Sequence, residues 1–246
     1  MKIAFFGSSL LSAYWNGAAT YWRGVTGGLA ALGHEVWFFE PDAFDRQQHR
    51  DLDAAPWATV KVYPAGAASD VLAAVRAARV SKFFSDAAAQ LPGRAFVLGG
   101  SGWGDHPRVA ELSNVNYVGH VYTRDHNASN CSAEKVLNVN RDSMARLGFS
   151  PATRVFEAAG AGACLITDRW PGIEAFLTPG EEVLVADDGD DVARLVREVS
   201  SARAREIGDA ARRRVLREHT YEQRAAQLQD VLGEVLDERR AATEAV

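Results

Sequence analysis

The chain has 246 residues and a net charge of −5, with 47% hydrophobic and 24% charged residues. That balance excludes a disordered polyelectrolyte, and the negative net charge disfavours nucleic acid or an anionic membrane surface as the main partner. Its two cysteines are too few for a disulfide framework, and without a run of 18 or more apolar residues nothing reads as a membrane span.

Lys2 to Phe6 is a short apolar run stopped by Gly7, which predicts a buried parallel strand. The glycine that interrupts it also argues against a signal peptide. Gly17 to Leu32 follows as a helix with Gly33 at the residue after its cap. Glu35 to Phe39 and Thr59 to Tyr63 read as further strands. This order of strand, glycine loop, helix and strand opens a doubly wound α/β fold. Gly7-Ser8-Ser9 is not a G-x-G-x-x-G fingerprint, so Glu40 after the second strand gives little support to NAD binding.

Residues 70 to 91 are alanine-rich with helical periodicity. Ala95 to Leu98 is a predicted strand leading into a glycine loop from Gly99 to Gly104, which includes Gly100, Ser101 and Gly102. Strands follow at Val115 to Val118 and Val136 to Val139, with a helix over 125 to 134 between them. A helix over 151 to 159, a strand over 163 to 167, a helix over 172 to 177 and a strand over 183 to 186 continue the alternation. From Asp190 the pattern is helical, broken near His219-Thr220 with Thr220 as a cap. The fold class is therefore α/β with Rossmann-like parallel sheets and C-terminal helices. A partial N-terminal lobe is expected over 1–79 and a more complete second lobe over 80–246.

Ser150 is a suitable N-cap and Pro151 a suitable first helical residue for the helix over 151 to 159. Such a helix start presents unpaired N–H groups and a positive dipole end, which favour an anion such as a diphosphate. Arg154 is the nearest cation. Glu157, further along the helix, offers a carboxylate for sugar hydroxyls. Asp125-His126 suggests an acid–base pair, but adjacent residues on a helix diverge. His34 reads as a structural residue of the helix–strand turn.

The run FEAAGAGACLITDRWPGIEAFLTPGEEVLVADDGDDVARLV resembles the nucleotide-sugar-binding segment of group 1 glycosyltransferases. With GSSLLSAYWNGAATYWRG near the start and NCSAEKVLNVNRDSMARLGFSPATRVFEAAGAG later, the chain is similar to CgeB-type (spore-maturation) glycosyltransferases. The resemblance implies a GT-B fold, a nucleotide-sugar co-substrate, an unspecified acceptor and no obligatory metal. It implies donor contacts from Gly100, Ser101, Gly102, His120, Tyr122, Ser150, Thr153 and Glu157, with Arg154 as the catalytic cation. Gly7, Ser8, Ser9 and Gly17 form the implied acceptor-side loop.

Glu157 matches the second glutamate of the family's E-x7-E motif, while the first position holds Phe149. Two complete lobes need roughly 300 residues at about 150 apiece. The resemblance thus implies an internal deletion near residue 80, removing the end of the first lobe and the start of the second. An exposed sheet edge there would invite a homodimer. The alternative function is a catalytically impaired remnant that binds nucleotide or protein. With only two cysteines and no disulfide framework, a reduced, cytoplasmic setting is expected.

Overall fold

The computed structural model describes residues 1–14, 17–64, 80–100, 103, 106–140 and 142–244. Contacts divide the chain into two compact units, Met1–Ala67 with Glu218–Val246, and Ala68–Arg217. The C-terminal helix thus belongs with the first unit, unlike a division at residue 80.

In the first unit β1 (Lys2–Phe6), β2 (Glu35–Asp42) and β3 (Thr59–Pro64) form a parallel sheet in that order. Helix α1 (Ala19–Ala31) connects β1 to β2. It ends as the sequence predicts: Gly33 has φ of 84°, its N–H donates to the Ala30 carbonyl, and the His34 N–H donates to that of Leu29. These two bonds form a Schellman cap, which needs the left-handed residue that glycine supplies without strain.

The C-terminal helix of this unit, Tyr221–Glu244, is opened by a reciprocal cap. The Gln223 N–H donates to Thr220 Oγ1 at 3.4 Å, and the Thr220 N–H donates to Gln223 Oε1 at 2.8 Å. The helix lies against α1 at Gly24 and Gly28. A Cβ on Gly24 would overlap the Tyr221 ring, and one on Gly28 would come within 2.8 Å of Ala225 Cβ. Two glycines four apart leave room for the crossing, which explains their place inside a helix despite the conformational cost.

One face of this sheet packs Ile3, Phe5, Val36 and Phe38 against helices and loops. The opposite face carries Phe6, Trp37, Phe39, Lys61 and Tyr63 by strand alternation. Phe6 is 74% exposed and stacks on Phe39 at 4.8 Å, while Lys2 and Lys61 lie over the Trp37 ring. Parallel sheets are ordinarily covered on both faces. Among the described residues, this aromatic face remains largely open.

The second unit contains the parallel pair β4 (Phe96–Gly99) and β5 (Val115–Gly119), and the parallel sheet β6 (Lys135–Asn138), β7 (Cys164–Asp168) and β8 (Leu184–Ala186). A π-helical turn, Ser81–Ser85, leads into α2 (Asp86–Gln90). The part of the predicted 70 to 91 helix before residue 80 lies outside the described residues. Next come α3 (Pro107–Ala110), α4 (His126–Ser132), α5 (Asp142–Leu147), α6 (Thr153–Gly160), α7 (Gly189–Glu198) and α8 (Ser201–Glu218). The C-terminal helix Tyr221–Glu244 is accordingly α9.

One helix is added and two local expectations change. The segment before Ser150 contains α5, whose end is set by Gly148 with φ of 68° and a bond from its N–H to the Met144 carbonyl. The predicted 172 to 177 helix is only a 3-10 turn, Ile173–Ala175. Gly172 enters it at φ of 91°, and Pro179 cannot donate the backbone bond that continuation would need. The helical region after Asp190 also breaks between α7 and α8, where the Ser200 hydroxyl accepts from the Arg203 N–H.

Every residue of β7 is buried. Cys164 and Ile166 join a core with Phe83, Ala87, Val192 and Ile207; Leu165 joins another with Val155, Ala158, Trp170 and Ala211. Each such large side chain contributes roughly 1.5–3 kcal/mol on burial. Gly208 of α8 lies directly on the turn before β7, where a Cβ would overlap the Gly162 carbonyl oxygen. Backbone cannot swing aside as a side chain can. Gly208→Ala should therefore destabilise the protein by about 1–3 kcal/mol, measured as a lower urea midpoint; an unchanged midpoint would show that this approach is not tight.

Candidate functional site

Several candidate donor residues converge in the second unit. The Gly100 N–H donates to the Gly119 carbonyl at 2.7 Å, tying the glycine loop to the end of β5. Both residues have positive φ, 123° and 71°, so both exploit backbone freedom peculiar to glycine. Ser101 and Gly102 lie outside the described residues. The chain then runs through His120 and Tyr122, whose rings meet edge to face at 4.7 Å; Tyr122 is exposed and covered on one side by Arg124.

The start of α6 differs from the expected cap. Ala152, not Ser150, is the N-cap, with no side-chain hydrogen bond; Ser150 and Pro151 precede the helix. Phe149 causes the offset. It has φ of 48°, its N–H donates to the Pro171 carbonyl at 2.8 Å, and its ring packs against Gly172. The chain therefore turns before Ser150 and enters the helix later. Thr153 is the first helical residue and Arg154 the next, with Arg154 exposed.

One turn further along α6, Glu157 is mostly enclosed. Its side chain is 15% exposed, and Oε1 is buried without a hydrogen-bond partner among the described residues. Oε2 lies 3.4 Å from His126 Nδ1. His126 Nε2 is 3.3 Å from the Val121 carbonyl oxygen, so the ring spans from α6 to the loop of His120 and Tyr122. The hydrogen bond to Glu157 raises the His126 pKa above 6.5, against burial and the nearby Arg154 charge, which lower it. The divergence expected within Asp125-His126 holds, since Asp125 pairs with Arg124 at 3.5 Å. The acid partner of His126 is instead 31 positions on, which sequence spacing alone did not disclose.

A buried polar cluster was also missed from the sequence. At the carboxyl ends of β6 and β7, Asn138 Nδ2 donates to Thr167 Oγ1 at 3.1 Å, and the Asn140 N–H donates to Asp168 Oδ1 at 2.9 Å. Among the described residues, Asn140 Nδ2 is buried without a partner. The signal was the polar residues Asn138 and Asn140 at the end of an otherwise apolar strand.

In the first unit, Gly7 accommodates the Phe38 ring, which a Cβ would overlap. Ser8 gives its carbonyl to Arg46 Nη1 at 3.1 Å, and fully buried Ser9 accepts the Ser12 N–H at 3.0 Å. Gly17 is exposed. Glu40 is fully buried and accepts from the Leu10 N–H at 2.5 Å and from Gln47 Nε2 at 2.8 Å. It anchors the loop after β1, which gives it a structural task in place of holding a dinucleotide ribose.

Among the described residues, no group of three or more His, Cys, Asp or Glu side chains forms a candidate metal site. The Asp-x-Asp spacings Asp51-Leu52-Asp53 and Asp188-Gly189-Asp190 do occur. Asp51 forms a two-pronged pair with Arg23, and Asp188 caps α7 by accepting the Asp191 N–H.

A glycosyl transferase-like family model matches residues 76–230. The chain belongs to that family. No curated protein matches it. Solved glycosyltransferase structures share its α/β architecture with parallel sheets. AviGT4, a glycosyltransferase involved in avilamycin A biosynthesis, is 16% identical with a TM-score of 0.58, covering 96% of this chain and 98% of that one. Sucrose-phosphate synthase from Thermosynechococcus elongatus is 14% identical with a TM-score of 0.52, covering 96% and 74%. Anabaena HepE in complex with UDP-glucose is 12% identical with a TM-score of 0.50, covering 94% and 72%. In this family member, as in those structures, the shared feature is the GT-B-like fold.

The two thiols differ in environment. Burial pushes Cys164 up to about 11, whereas Cys131 is exposed. A thiol-specific reagent should therefore modify Cys131 quickly in native protein and Cys164 only on unfolding. Rapid reaction of both would contradict the buried placement of β7.

Proposed function

We propose that the protein is a GT-B glycosyltransferase of the CgeB type, transferring a sugar from a nucleotide donor to an acceptor without an obligatory metal. The observation that carries this reading is Glu157 Oε1, a buried carboxylate oxygen without a hydrogen-bond partner among the described residues, one turn from the start of α6, whose N-cap residue makes no side-chain bond. Leaving such an acceptor unmatched is costly, and a ribose hydroxyl supplies the donor it lacks. HepE, which shares the fold, was solved with UDP-glucose.

In this reading the diphosphate meets the first N–H groups of α6, with Ser150 and Thr153 beside it. Arg154 offsets the negative charge that grows on the leaving diphosphate. His120 and Tyr122 face the base, while Gly100, Ser101 and Gly102 line the donor loop. Gly7, Ser8, Ser9 and Gly17 belong to the acceptor side. Phe149 replaces the carboxylate that the wider family places before the helix, so this contact to the donor sugar is absent or made differently. The free thiols fit a cytoplasmic enzyme.

The open aromatic face of the first unit favours a second reading. A deletion near residue 80 would remove covering elements and leave a nucleotide-binding or protein-interaction remnant, with this face available for a homodimer. Turnover separates the two readings. Calorimetry with UDP, GDP and dTDP and their sugars should detect binding, and Glu157→Gln should weaken it about tenfold. Arg154→Ala should lower kcat/KM about 100-fold. Binding without sugar transfer or donor hydrolysis would select the remnant, and absence of binding across the panel would remove the donor-site reading.

A further inference from the structure

His126 joins two parts of the candidate site that the fold otherwise positions separately. Its Nδ1 faces Glu157 Oε2 at 3.4 Å and its Nε2 faces the Val121 carbonyl at 3.3 Å. A carboxylate and a carbonyl only accept hydrogen bonds. A ring satisfying both must donate from both nitrogens, and an imidazole that does so is an imidazolium. The charged groups around it are Glu157 and Arg154 on α6, and Arg124 and Asp125 on the preceding turn, which pair with each other.

The pairing also leaves Glu157 in a particular condition. Oε2 is taken by His126, while Oε1 is buried and unmatched. The side chains are 24% and 15% exposed, so solvent screens this pair less than a surface ion pair. Val121, whose carbonyl the ring also meets, lies between His120 and Tyr122 and packs against Gly99, where a Cβ would come within 2.7 Å of its Cγ2.

We propose that His126 is a positioning residue of the donor site: its imidazolium holds Glu157 by one oxygen and the Val121 carbonyl by its other nitrogen, fixing the ribose acceptor relative to the base-facing loop. This rests on the reading of Glu157 as the ribose acceptor. The Glu157 bond raises the His126 pKa above 6.5, so the holding state is populated at lower pH and lost as pH rises through that raised value. Nucleotide affinity follows the same course.

The test combines calorimetry with side-chain nitrogen NMR. The tightest of UDP, GDP and dTDP is titrated into wild type, His126→Gln, His126→Phe and Glu157→Gln from below pH 6.5 to alkaline pH. Wild-type affinity should fall about tenfold as the ring titrates. His126→Gln, which keeps one donor but no charge, should bind with intermediate affinity independent of this titration, and His126→Phe should bind weakly. Retention of wild-type affinity and pH profile in both His126 variants, with binding weakened in Glu157→Gln, overturns the positioning role and leaves the donor-site reading intact. Failure of wild type to bind any of the three overturns both. NMR on nucleotide-free wild type should show the His126 ring titrating above its ordinary value of 6.5, and Glu157→Gln should lower the titration; a wild-type ring that titrates below that ordinary value overturns the proposal without reference to any variant.

Discussion

The second unit is organised around the burial of β7 on both faces. A parallel strand enclosed this way has little freedom of register, because a one-residue slip would exchange the side chains that fill its two cores. Leu165 faces α6 through Val155 and Ala158, while Ile166 faces α2, α7 and α8. The loops at both ends inherit that position. Before β7, Gly162 makes a left-handed turn under α8; after it, Asp168 fixes Asn140, and the Pro171 carbonyl fixes Phe149. Helix α6 therefore begins where packing of the strand puts it, without a side-chain cap.

The candidate site uses polar groups at the limit of that packing. Glu157 lies on the same helix as Val155 and Ala158, which are fully buried, so its carboxylate is carried close to the core. Its pair with His126 compensates one oxygen and leaves the other unmatched. Such an arrangement is expensive in a purely structural role and coherent in a site completed by ligand hydroxyls. The first unit shows the contrasting case. Buried Glu40 has partners on both oxygens and acts as a loop anchor.

Much of the α/β order was legible from apolar runs and glycine punctuation. The Gly33 termination and the Thr220 cap follow the pattern closely; Lys2–Phe6 is a parallel strand as expected, but it is half-buried to exposed rather than buried, because only Ile3 and Phe5 face the packed side of the sheet. The start of α6 did not, because Ser150 and Pro151 are favourable locally while the Phe149–Pro171 bond and the Gly172 contact are tertiary. Glu157 stood out through its motif, but its partner did not, since nothing in the spacing of residues 126 and 157 brings α4 beside α6. The place of α9 in the first unit was similarly hidden: it depends on Gly24 and Gly28 meeting Tyr221 and Ala225 across nearly the whole chain.

In the proposed donor complex the unmatched oxygen of Glu157 receives a ribose hydroxyl while His126 retains the other oxygen. A crystal structure with the tightest-binding nucleoside diphosphate tests this directly. It should show a ribose hydroxyl within about 3.2 Å of Glu157 Oε1, diphosphate oxygens at the first N–H groups of α6, and the His126 contact intact. A nucleotide bound elsewhere, or one at α6 with Oε1 still unpartnered, would contradict this arrangement.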